Sequence, residues 1–120
     1  MAGSKLTGGA GESAAARYLI ARGYEIEAAN YRSRYGEIDI IAKNREFVVF
    51  VEVKTRKSGA FARPMESVTR SKLEKIRQTA LIWLAANKCD KQPRFDVIEV
   101  YMPDGAAGKP ARIEHMENIL

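Results

Sequence analysis

From Gly11 to Arg22 apolar positions return at helical spacing: Ala14, Ala15, Tyr18, Leu19 and Arg22 fall at i, i+1, i+4, i+5 and i+8. This stripe predicts an amphipathic helix. Glu12 sits in its first turn, where a carboxylate complements the helix dipole. Gly23 stands where a helix-ending residue takes a positive φ. Tyr24 to Tyr31 then reads as a short strand with Tyr24, Ile26 and Ala28 on one face. A basic turn, Arg32 to Gly36, leads into a second strand over Glu37–Ala42. The turn chemistry that follows is centred on Asn44. Phe47 to Val53 is the strongest strand pattern, with Phe47, Val49, Val51 and Val53 on one face and Val48 and Phe50 on the other. Apolar residues on both faces mark a central strand covered on both sides.

Lys57–Pro64 reads as a loop. A long helix follows, starting between Ser67 and Ser71 and ending at Asn87, on the spacing of Leu73, Ile76, Ala80, Trp83 and Leu84. Ser71 with Glu74 forms one candidate capping box, and Thr69 is the other candidate N-cap. Arg94–Tyr101 alternates as a strand, Pro103–Ala111 is a loop, and Arg112–Met116 is a final edge strand. The order α-β-β-β-α-β-β predicts a mixed α/β (α+β) sheet with helices packed against it. It forms a single domain over 11–120 behind a flexible, glycine-rich lead over 1–10.

The chemistry concentrates between Gly36 and Arg56. An antiparallel hairpin about Asn44–Arg45 sets Ala42 opposite Phe47, Asp39 opposite Phe50 and Glu37 opposite Glu52. Glu37, Asp39, Glu52 and Lys54 then share one side, with Asp39 and Glu52 as diagonal neighbours roughly 7–8 Å apart at the backbone. A slip of one residue would send Asp39 to the other face. Carboxylates buried together repel and raise one another's pKa. A divalent cation relieves that repulsion. Mg²⁺ takes oxygen ligands, often one or two carboxylates with waters and phosphate oxygens, and it polarises a phosphodiester and activates water. Lys54 beside it would orient or deprotonate the water, or stabilise developing negative charge. The other reading of the same spacing is a structural ion network of Glu52, Lys54 and Asp39.

Composition narrows the choice. With one Cys and one His among 120 residues, neither an internal disulfide nor a four-ligand Cys/His zinc site can be built. Cys89 and His115 have no evident partners and are assigned no role. The formal net charge of +5 suits an anionic partner. The longest uncharged apolar stretch, Thr79–Asn87, falls far short of the ~20 residues that span a bilayer. A cytoplasmic protein without a membrane partner is therefore expected. Arg32, Arg34, Arg56, Lys57, Arg63, Arg70 and Lys72 cluster in sequence around the acidic centre. They are either a solvated surface or phosphate contacts that position a nucleic acid without reading its sequence. Asp96, on a later strand with Ile98 and Val100, reads as structural.

Asp39, followed thirteen residues on by Glu52-Val53-Lys54, resembles the core motif of the PD-(D/E)XK nuclease superfamily. The chain is more closely similar to the YraN family of bacterial proteins, themselves akin to archaeal Holliday-junction resolvases. The likeness rests on Gly11-Glu12, Gly23-Tyr24, Asn30-Tyr31-Arg32, Gly36-Glu37-Ile38-Asp39, Val51-Glu52-Val53-Lys54, Lys72 and Arg94-Phe95-Asp96-Val97. Ile38 stands where the superfamily motif has Pro, and Ala62 where the family pattern leads one to expect Gly.

The resemblance implies a restriction-endonuclease-like αβββαβ core and hydrolysis of DNA phosphodiester bonds, with branched or structured DNA as substrate. It implies Mg²⁺, with Mn²⁺ as a substitute, on Asp39, Glu52 and the Val53 backbone carbonyl. Lys54 would assist the attacking water, Glu12 would join the site from the first helix, and Glu37 would support it. Related resolvases act as homodimers on two-fold symmetric junctions. A nucleic-acid-binding protein with little catalytic power, and a scaffold built on an ion-pair network, stand beside the nuclease reading.

Overall fold

The computed structural model describes residues 9–57, 69–104 and 109–119. Its elements run α1 (Ala10–Ala21), β1 (Glu25–Ser33), β2 (Gly36–Lys43), β3 (Phe47–Arg56), α2 (Arg70–Asn87), β4 (Gln92–Tyr101) and β5 (Arg112–Met116). The expected mixed sheet with flanking helices is observed, and the αβββαβ order lies within it. The expected lead falls almost wholly outside the described residues, as do most of the loop after Lys57 and the middle of the Pro103–Ala111 loop.

The sheet has five strands in the order β1-β2-β3-β4-β5. The β1–β2, β2–β3 and β4–β5 pairs are antiparallel and the β3–β4 pair is parallel. A parallel neighbour needs a crossover, and α2 supplies it. The two faces of β3 bury two separate cores. Val49 and Val51 pack with Ala14, Ala15, Leu19, Ile40, Ile98 and Val100 under α1. Val48 and Phe50 pack with Ile38, Ile41, Ile76, Ala80 and Trp83 under α2. The two apolar faces thus mean what the pattern predicts: a central strand with a helix on each side.

Helix ends follow local chemistry. Gly23 takes φ 92° after the C-cap of α1 and donates its N–H to Ile20 O. Of the two candidate N-caps of α2, Thr69 is used: its hydroxyl accepts from Lys72 N–H at 3.1 Å, and Ser71 lies inside the helix.

Three expectations are corrected. Asn44 Oδ1 accepts from both Glu46 N–H and Phe47 N–H, and Asn44 N–H donates to Phe47 O, so the two-residue loop is Arg45–Glu46 and not Asn44–Arg45. The β2–β3 register is consequently two residues away from the expected one, with Ala42 opposite Val49 and Ile41 opposite Phe50. In β1 a register shift between Ile26 and Ala28 breaks the alternation. Tyr24 and Ile26 face the α1 core while Ala28 faces the α2 core. Finally, the sequence shows no evident partner for His115, yet its Nε2 lies 2.6 Å from Asp96 Oδ2.

Candidate functional site

The β2–β3 ladder stops at Ile40–Val51, and beyond it the strands part. Asp39 and Glu52 are the next residues on each strand. A shift of two residues preserves strand parity, yet Asp39 is not in a regular ladder position. Ile38 joins the α2 core while Ile40 joins the α1 core, so the alternation of β2 breaks across Asp39. Opposite it on β1, between the pairs Ala29–Ile40 and Tyr31–Ile38, Asn30 takes φ 53°. Asn tolerates this left-handed conformation better than most residues. The Asp39 carboxylate turns to β3 and accepts the Val53 N–H at 2.8 Å.

Glu12 arrives from the first turn of α1. Gly11 allows this approach: a Cβ there would overlap the Thr55 hydroxyl on β3. Asn30 gathers the acids from β1, donating through Nδ2 to Glu12 Oε1 and to Glu37 Oε2, each at 3.0 Å. Its own Oδ1 is buried without a hydrogen-bond partner among the described residues. Asn30 is thus part of the cluster, although in the sequence it stands only among the family-like residues. Its signal was its place beside Tyr31-Arg32 in that matching stretch.

The electrostatics of the cluster are unbalanced. Burial, then the negative charge of Glu52, pushes Asp39 up to about 7 from 3.8. The Val53 N–H offsets part of this, and Glu12 and Glu37 add to it. Burial likewise raises Glu12, against the hydrogen bond from Asn30, and the charges of Glu37 and Glu52 act in the same direction as burial.

Glu52 differs. It is buried, and its Oε2 lies 2.7 Å from Lys72 Nζ and 3.2 Å from Lys54 Nζ. Burial pulls Lys72 down, but the hydrogen bond and charge of Glu52 outweigh it and leave Lys72 raised. The proposed ion network is therefore half realised: Glu52 has its cations, and no described ion pair reaches Asp39. The donor set is oxygen only: Asp39, Glu52 and, against Asp39, the Val53 peptide. Among the described residues no three His, Cys, Asp or Glu side chains form a ready metal cage. Mg²⁺ does not ask for one, since it keeps several waters and uses one or two carboxylates.

The expected cationic rim divides. Arg32, Arg34, Lys57 and Arg70 are exposed. Arg32 Nε stands 3.8 Å from Glu37 Oε2, and Arg34 lies over the Tyr35 ring. Arg56 Nε donates to the fully buried Glu99 at 2.6 Å. Lys72 belongs to Glu52. Arg63 lies outside the described residues. A groove of about 290 Å³ runs beside the cluster, lined by Gly36, Glu37, Thr69, Ser71, Lys72 and Lys75 among others.

A second buried polar group occupies another part of the sheet. Arg94 donates through Nε and Nη2 to the two oxygens of Asp96, at 3.1 and 2.9 Å. Its Nη2 also reaches the Tyr24 hydroxyl. An ionised Asp96 only accepts, so His115 Nε2–H donates to it, and Nδ1 faces the Tyr18 hydroxyl at 3.2 Å. Asn118 N–H adds a further bond. Burial alone would raise Asp96, but its donors, His115 and Arg94 first, hold it below the usual carboxylate range.

Fold and cluster together define a class: a small α/β protein whose mixed sheet, with one helix on each face, parts at one end around a set of carboxylates and lysines. A family model described as "Uncharacterised protein family UPF0102" matches residues 11–100. A UPF0102 protein of Trichlorobacter lovleyi is 45% identical over 118 residues, covering 97% of this chain and 91% of its own. One from Alkaliphilus oremlandii is 47% identical over 118 residues, covering 96% and 97%. One from Nocardia farcinica is 48% identical over 99 residues, covering 82% and 78%. The chain belongs to the UPF0102 (YraN) family, as its motifs indicated. Among the described residues no helix is long and apolar enough to cross a membrane.

Proposed function

We propose that this protein is a metal-dependent endonuclease that hydrolyses DNA phosphodiester bonds, in the manner of a resolvase on branched or structured DNA, within the cytoplasm. One observation carries the reading. The ion pairs of the site neutralise Glu52 but leave Asp39 half-buried among carboxylates and pushed up to about 7. A purely structural network would supply Asp39 with a cation, as Asp96 is supplied.

Asp39 and Glu52, with the Val53 carbonyl, would hold Mg²⁺ or Mn²⁺. When bound, such an ion polarises the phosphodiester and lowers the pKa of water. Lys54, on β3 two residues beyond Glu52, orients the attacking water and stabilises negative charge developing on the phosphate. Glu12 supplies a further carboxylate from α1, and Glu37, through Asn30, keeps it in place. Arg32, Arg34, Lys57 and Arg70 contact backbone phosphates, with the Glu99-bound Arg56 as a flanking cation; Arg63, outside the described residues, is a further candidate from the sequence. Their contribution to binding falls with salt. A homodimer fits a two-fold symmetric junction.

The occupation of Glu52 by two ammonium groups favours a second reading, a nucleic-acid-binding protein with little cleavage. Assaying the wild type and Lys54→Ala on branched, single-stranded and linear DNA with Mg²⁺ or Mn²⁺ separates the two. The nuclease reading expects cutting by the wild type and a loss of about 100-fold or more in the variant. Binding by both proteins with a steep salt slope and no cutting gives the field to the second reading. No binding at low salt removes both.

A further inference from the structure

Both ammonium groups on Glu52 converge on one oxygen. Oε2 accepts from Lys72 Nζ at 2.7 Å and lies 3.2 Å from Lys54 Nζ. The shorter bond comes from the lysine on another element. Lys72 projects from the first turn of α2, where its N–H is fixed to Thr69 Oγ1, and it reaches across 20 positions of sequence to β3. The two lysines differ in freedom. The Lys54 side chain is 21% exposed and rises from a strand paired to β4 at every position, with Lys54 opposite Glu99. The Lys72 side chain is 40% exposed and borders the open groove beside Glu37 and Lys75.

A divalent cation and two ammonium groups cannot share one carboxylate oxygen without strong like-charge repulsion. Displacing one ammonium relieves that repulsion, and Lys72, the more exposed of the two, has room to move. We propose that Lys72 is an exchangeable counter-ion: it neutralises Glu52 while no metal is bound, and turns to a nucleic-acid phosphate when a divalent cation takes its place. This rests on the metal-dependent reading above and deepens it. Glu52 then never stands buried and uncompensated, a state strongly disfavoured for a carboxylate out of water. The exchange also couples the two ligands. A cation releases Lys72 to the phosphate, and a phosphate draws Lys72 off Glu52, so each ligand strengthens the other by the same factor.

The test is calorimetric titration of the whole chain with Mn²⁺ in the absence of nucleic acid. Lys72→Met, Lys72→Gln and Lys75→Met are compared with the wild type, each with its thermal transition recorded. Removing the resident ammonium should tighten Mn²⁺ binding about fivefold or more in both Lys72 variants, while Lys75→Met stays within about twofold of wild type. Binding of a labelled four-way DNA junction, read by anisotropy, supplies the other half. Lys72→Met should weaken it about fivefold in Ca²⁺ but less than about twofold in EDTA. Unchanged or weaker Mn²⁺ binding in folded Lys72→Gln overturns the inference and leaves the metal site standing, provided the wild type binds Mn²⁺ and Asp39→Asn does not. If the wild type binds no Mn²⁺, or Asp39→Asn binds it as tightly, the functional reading falls and the exchange with it.

Discussion

Two aspartates in one sheet titrate in opposite directions. Asp96 is fully enclosed, and four hydrogen bonds from His115, Arg94 and the Asn118 N–H hold its charge and lower its pKa. Asp39 is less buried, yet among the described residues its one donor is the Val53 N–H, and its neighbours Glu52, Glu12 and Glu37 are acids. Burial therefore does not decide the outcome; the sign of what surrounds the carboxylate does. A sheet that spends two arginine bonds, an imidazole and a backbone N–H on one carboxylate treats it as structure. Among the described residues the other has no matching cation, and this is why it is proposed as a metal ligand.

The sharpest way to break this contrast is to remove each carboxylate. Asp96→Ala strands Arg94 in the interior and should cost about 3–5 kcal/mol by urea unfolding. A loss under ~1 kcal/mol would show that the Asp96 cluster is not what ties β4 to β5 and α1. Asp39→Asn should go the other way, gaining about 1–4 kcal/mol in metal-free protein at pH 8 while DNA cleavage falls about 100-fold or more. A destabilised Asp39→Asn would end the idea that this carboxylate is held at a cost.

The pH dependence follows from the same pair. Asp39 is raised in the folded state, so from about pH 4 to its folded value of about 7 the native protein holds a proton that the unfolded chain has released. Metal-free stability should fall as pH climbs through that window, and Mn²⁺ should flatten the fall. Asp96 is lowered, so its stabilisation is complete above the unfolded value of 3.8 and is lost as pH drops through its depressed folded value. Thermal melts at pH 3 to 8, with and without Mn²⁺, check both limbs; a metal-free melting temperature that rises from pH 5 to 8 contradicts the assignment of Asp39.

Smaller effects probe how the cluster is assembled. Gly11→Ala forces a methyl group against Thr55 and should cost about 1–3 kcal/mol, with cleavage reduced because Glu12 moves with the first turn of α1. Asn30→Gly keeps the left-handed backbone but loses the bonds to Glu12 and Glu37, and should lower stability by about 0.5–1.5 kcal/mol. A larger drop than for Gly11→Ala would make Asn30, and not the approach of α1, the main organiser of the acids.

Much of this molecule is legible without coordinates because it is local. Helical spacing marks α1 and α2, and the two apolar faces of β3 announce a covering layer on each side. Asp39, Glu52 and Lys54 stand out as charges where a buried strand should be apolar. What those residues meet is a different matter. The register of β2 on β3 depends on the Asn44 side chain capping the turn, and a two-residue error there moves Asp39 from opposite Phe50 to just past the end of the β2–β3 ladder. The bulge in β1 and the positive φ of Asn30 interrupt an alternation that a period-two reading assumes throughout.

The amino-acid sequence by itself determined the order of elements, the buried faces and the residue types able to bind a hard cation, since each follows from spacing along a few turns or one strand. Only the tertiary structure decided which charges are matched. Lys72 reaches Glu52 across 20 positions, Arg56 reaches Glu99 across 43, and Tyr18 reaches His115 across 97. Such pairings are set by register, by bulges and by where each helix lies on the sheet. The difference between a satisfied Asp96 and an unsatisfied Asp39 arises there.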